Sequence, residues 1–135
     1  MDLKTVKSAI RYWLDTAEHD YETMLILFRT KRYSDSLFYG HIALEKLLKA
    51  HVVLHTKEQA PYIHDLLRLN ELSNVCLSEE EIDLLDEVNN FNIRARYPEY
   101  KLEFYKKCTK LYTEPYIKRI QNLYRILCRE LKQKK

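Results

Sequence analysis

Residues 36–50, SLFYGHIALEKLLKA, decide the fold. Leu37, His41, Leu44 and Leu48 recur at steps of three and four, and Val52 continues the series. That is the period of one helix face, not the two-residue alternation of a strand. The pattern predicts a helix from about Ser34 to His55. Gly40, the only glycine in the chain, falls inside it. A mid-helix glycine costs about 1 kcal/mol relative to Ala, so close approach of another helix is its expected reason. Glu45, Lys46 and Lys49 ride on the same helix.

Outward from this tract the periodicity stays helical. Val6, Ile10, Trp13, Ala17, Tyr21, Met24 and Phe28 mark a helix over about residues 3 to 30. A linker from Thr56 to Pro61 leads into a shorter helix from about Tyr62 to Asn74, with Pro61 suited to its start. Ser78 followed by Glu81 is a capping-box pattern opening a helix through Ile82, Leu85, Val88 and Phe91. Pro98 disfavours the α conformation at Tyr97, so that helix has ended there. Leu102 to Lys132 is helical by pattern, with Ile117, Ile120, Tyr124, Leu127 and Leu131 on one face. Pro115 either begins a separate helix or kinks a long one. The expectation is an all-α, five-helix up-and-down bundle in one domain, residues 1–135.

Composition agrees. One Gly and three Pro among 135 residues are too few for the frequent turns of a strand-rich fold. The longest uncharged stretch, Ser36 to Leu44, is nine residues, against about eighteen for a membrane span. The N-terminal MDLKTVKSAIRYW has no apolar signal core, so a cytoplasmic protein is expected, without a membrane. Cys76, Cys108 and Cys128 are scattered, with no CxxC, and read as reduced structural thiols. Neither a metal nor another cofactor is expected.

Charge is unevenly spread. Residues 58–99 carry ten acidic and three basic side chains; residues 101–135 carry three acidic and eleven basic. The basic segment reads either as a phosphate-facing stripe or as a face turned to the acidic helix or to water, with helix C-termini favouring cations.

The order of the charged helix tract, Tyr62-Ile63-His64-Asp65-Leu66 and Arg94-Ala95-Arg96-Tyr97-Pro98 resembles the HEPN domains, small helical proteins of prokaryotes and some eukaryotic chaperones. The resemblance runs from Trp13 to the last helix. It implies long first and second helices paired antiparallel, a likeness to the C-terminal helical domain of nucleotidyltransferases, and a homodimer. It also implies, for some members, a minimal nucleotidyltransferase partner in toxin–antitoxin or defence loci. RNA-cutting members carry an Arg followed four to six residues later by His. Here Arg94 and Arg96 are present, but all five histidines lie at or before position 64. Acid–base cleavage of a phosphodiester near neutrality typically relies on a group titrating there, usually His. The resemblance therefore implies a non-nuclease member. Tyr100 matches only weakly the Tyr that nucleotide transfer modifies in nuclease-type members.

What remains is recognition of a nucleotide or RNA phosphate. Arg94 and Arg96 are the expected forked donors, with Lys46, Lys49, His64 and Tyr97 around them. The alternative is a buried polar network holding helix register: Glu45 with Arg96 or with Lys49 four residues on, and Asp20 with a basic partner. His64-Asp65 also resembles a metal phosphohydrolase dyad, but reads better as a helix cap, and His51 to His55 lacks the Glu of a zincin. Two rivals stand beside phosphate binding. One is a degenerate ribonuclease toxin using His64 beside Arg96; the other is a dimerisation adaptor without a ligand. The Gly40 helix and the last helix are the expected dimer seam.

Overall fold

In the computed structural model, residues 1–133 are described and form six helices: α1 Leu3–Arg29, α2 Tyr33–Thr56, α3 Leu66–Ser73, α4 Glu79–Arg96, α5 Pro98–Lys107 and α6 Lys110–Gln133. There is no strand among the described residues. Lys134 and Lys135, two of the eleven cations of the basic segment, lie outside them.

Helix α2 is the axis. It packs against α1, α3, α4, α5 and α6, and residues from Ser36 to Val53 are buried on most of its circumference. A helix apolar nearly all round must be covered on every side, which explains the uncharged run before Glu45. Gly40 is where the neighbours come closest: an added Cβ would lie 2.9 Å from Ile120 Cδ1 and 3.1 Å from Met24 Sδ. The close approach expected of this glycine is thus to α6 and α1 of its own chain. That corrects the Gly40 face as a dimer seam, because its surface is already covered. Tyr21 of α1 stacks on Tyr124 of α6 with ring centroids 3.9 Å apart, closing the bundle on the other side.

The ends obey local chemistry. Ser78 Oγ accepts from Glu81 N at 3.2 Å while Glu81 Oε1 accepts from Ser78 N at 2.8 Å, the reciprocal box read from the sequence. Tyr97 is extended, φ −91° and ψ 132°, as Pro98 requires, but the chain re-enters a helix at once with Pro98 in its first turn. The six helices therefore differ from the five expected. The segment after Pro98 is a helix of its own, and the break before α6 falls at Cys108-Thr109, not at Pro115. Thr109 Oγ1 accepts from Tyr112 N at 3.2 Å and caps α6. Pro115 is tolerated inside α6; the carbonyl it leaves free is that of Leu111, which is 88% exposed and open to water. Helix α3 starts four residues later than expected, because Asp65, not Pro61, supplies the cap.

Candidate anion-binding site

His41, Glu45 and Lys49 follow one another at four-residue steps, so α2 stacks them along one face. All three are buried. Lys49 Nζ donates to Glu45 Oε2 at 3.2 Å and sits 5.2 Å from the Trp13 ring centroid and 5.9 Å from that of Tyr62. The ammonium is thus held between an anion and two π faces, which offset its loss of water.

The segment before α3 lays His64 across this row. Asp65 accepts from the amides of Leu67 and Arg68 and from Asn89 Nδ2 at 2.9 Å, and Asn89 Oδ1 accepts from Leu66 N at 2.9 Å. These bonds pin the start of α3 to α4. His64 is then tied to α2 twice. Its carbonyl faces His41 Nε2 at 3.1 Å, and its Nδ1 lies 3.0 Å from Glu45 Oε1. A carbonyl only accepts, so His41 Nε2 carries the proton and Nδ1 is the bare nitrogen. That nitrogen is buried without a hydrogen-bond partner, 3.8 Å from Glu45 Oε1. Burial pushes the His41 pKa down to about 4, against the opposing pull of Glu45, so the ring is neutral at ordinary pH.

Arg96 stands at the edge of this network. Its guanidinium lies 5.5 Å from the Phe38 ring centroid, and its charge is felt by His41. The side chain is exposed and has no carboxylate within ion-pair distance among the described residues. The pairing of Glu45 with Arg96 considered from the sequence is replaced by Glu45 with Lys49 and His64. The Asp20 alternative is realised, since Lys46 Nζ lies 2.6 Å from Asp20 Oδ2 and locks α2 to α1.

The candidate residues thus divide. Lys49, His64 and Arg96 share one region around Glu45 and His41, with Lys46 on its own ion pair alongside. Arg94 points elsewhere, 5.0 Å from the Phe104 ring centroid and beside Cys108 and Tyr112; two residues apart on a helix face away from each other. Tyr97 is 51% exposed at the α4–α5 corner. His41 was missed as a site residue, though the four-residue ladder to Glu45 and Lys49 was legible. Asn89 has no sequence signal, since its role exists only once α3 meets α4.

No group of three or more His, Cys, Asp or Glu among the described residues is arranged to hold a metal. The three thiols are free, and burial pushes the Cys108 pKa up to about 11, away from reactivity. No described helix is long and apolar enough to cross a membrane.

No curated protein matches the chain. Among solved structures it is similar to TT1696 from Thermus thermophilus, with a TM-score of 0.74 and 19% identity over 93% of this chain and 98% of that one. At that identity the likeness shows the fold alone. The family model described as the HEPN domain matches residues 10–131, a span covering every helix that builds the site, and the chain belongs to the HEPN domain family.

Proposed function

We propose that the chain is a non-catalytic HEPN domain that binds a nucleotide or nucleic-acid phosphate at Arg96, as a homodimer acting beside a minimal nucleotidyltransferase. The observation that carries the reading is a surplus charge. Lys49 and His64 meet Glu45, and Lys46 meets Asp20, while the exposed Arg96, its guanidinium over the Phe38 ring, has no carboxylate partner among the described residues. An exposed Arg without a carboxylate partner suits a forked bond to phosphate. In this reading Arg96 makes the direct contact, and His64 and Tyr97 flank it. Lys46 and Lys49 raise the local potential from within their ion pairs. Arg94 serves a second phosphate along the α4–α5 corner. For the dimer, the support is exposed apolar surface between the end of α4 and the start of α6: Ile93, Tyr97, Tyr100, Leu102, Tyr105 and Leu111 are each exposed. Isothermal titration with ATP, GTP and a short RNA tests the binding. Nucleotide heat, from ATP or GTP, that disappears in Arg96→Ala supports it, and silence with all three at millimolar ligand removes it.

One observation favours a second reading. His64 keeps 43% of its side chain exposed while its Nδ1 meets Glu45 at 3.0 Å. An imidazole oriented by a carboxylate, with Nε2 free, is the arrangement of a general base. A ribonuclease would degrade a transcript unaided, and lose that activity in both His64→Ala and Arg96→Ala. A ligand-free adaptor would do neither.

A further inference from the structure

Helix α6 carries a second set of cations, on a different helix from Arg96. Lys118, Arg125, Arg129 and Lys132 are spaced at seven, four and three residues, the interval that keeps side chains on one stripe of a helix. All four are exposed. Among the described residues none of them lies within ion-pair distance of a carboxylate. Of the α6 cations, only Arg119 turns to the acidic α4, meeting Glu87 at 3.0 Å. Pairing with the acidic helix therefore does not account for the stripe. The helix dipole does not either, since its influence dies within the last turn and Lys118 and Arg125 stand well before it. At its first end the stripe meets α1, where Arg29 and Lys118 line a groove of 290 Å³ with Leu25, Phe28 and Ile117. Glu114 is the one carboxylate lining that groove.

We infer that Arg29, Lys118, Arg125, Arg129 and Lys132 form a track for the phosphodiester backbone of a nucleic acid. From Lys118 to Lys132 the track covers fourteen residues, about 21 Å of helix. Successive cations on it stand about 4.5 to 10.5 Å apart along the helix axis, the scale on which neighbouring phosphates of a single strand follow one another. A protein partner is disfavoured because the stripe has no apolar centre, the feature that protein interfaces bury; Asn122 is what lies between Lys118 and Arg125. The apolar floor of the Arg29–Lys118 groove gives a base somewhere to rest while its phosphates follow the cations.

The test is fluorescence anisotropy of the full chain with a labelled fifteen-nucleotide uridine RNA, the matching thymidine DNA, and polyglutamate as competitor, over a salt series. The expected slope of log K against log salt is about −3 to −4 for five single-strand contacts. The double variant Arg125→Gln/Arg129→Gln should weaken binding about tenfold or more and lower that slope by roughly 1.5, with melting temperature and ATP binding unchanged. Equal affinity for both strands supports recognition of phosphate alone, and preference for RNA supports it with a ribose contact added. Arg96→Ala should leave strand binding intact, which separates this surface from the Arg96 site. No binding of either strand at the lowest salt, salt-insensitive binding, binding indifferent to the double variant, or displacement by polyglutamate at equal charge would overturn the inference.

Discussion

Removing the Glu45 carboxylate is the sharpest test of the buried network. In Glu45→Ala the Lys49 ammonium, 4% exposed, loses its anion while Trp13 and Tyr62 still enclose it. Breaking a buried pair by deleting one partner costs about 3–5 kcal/mol. The surviving cation–π contacts offset roughly 1 kcal/mol of that, and His64 loses its acceptor as well. The expected destabilisation is about 3 kcal/mol. Unfolding entropy near 2.1 cal/mol/K per residue makes that a fall of about 10 °C in melting temperature. Calorimetry and urea titration of wild type, Glu45→Ala, Lys49→Met and the double variant complete the cycle. Lys49→Met should cost less, because His64 still satisfies one carboxylate oxygen. The double variant should lie within about 1.5 kcal/mol of wild type, since it leaves no buried charge. A loss below 1 kcal/mol in Glu45→Ala, or strict additivity in the double variant, would refute the claim that Glu45 and Lys49 hold each other inside the bundle.

Three further outcomes are expected. Because burial lowers His41 from its ordinary 6.5 to about 4, the unfolded chain takes up a proton that the native chain refuses. Stability should therefore fall as pH drops from 6.5 towards 4, by up to about 3 kcal/mol; urea unfolding across that window should be flatter in His41→Gln, and equal slopes would reject a neutral buried ring. Gly40→Ala should be about 1 kcal/mol more favourable in an Ile120→Val background than alone, because that change deletes the Cδ1 atom 2.9 Å from the new methyl; chemical denaturation of the four proteins reads the coupling. Asn89→Ala should destabilise by about 1–2 kcal/mol and hasten amide exchange at Leu66, whose hydrogen bond it removes; unchanged protection at Leu66 would deny Asn89 its role in seating His64.

The three-four periodicity from Ser36 to Val52 identified α2, and its apolar run already implied a helix covered on all sides. The Ser78–Glu81 box and the Pro98 stop were equally readable, because caps and prolines act within a few residues of themselves. The number of helices was not. Whether Leu102 joins the last helix depends on Cys108-Thr109, where no glycine or proline marks the break and a threonine cap suffices.

The candidate site divides along the same line. Glu45 reaching Lys49 is a contact within one helix turn, so spacing alone announced it. His64 reaching Glu45, Arg96 standing unpaired and Arg94 turning to Phe104 depend on how α3 and α4 dock on α2. Docking sums many weak contacts between residues far apart in the chain, and no local pattern encodes the sum. The amino-acid order thus carries the helices, their caps and the HEPN pattern. The packed bundle alone decides which cations find a carboxylate and which are left over for an anion, because neutralisation is a matter of a few ångströms between elements.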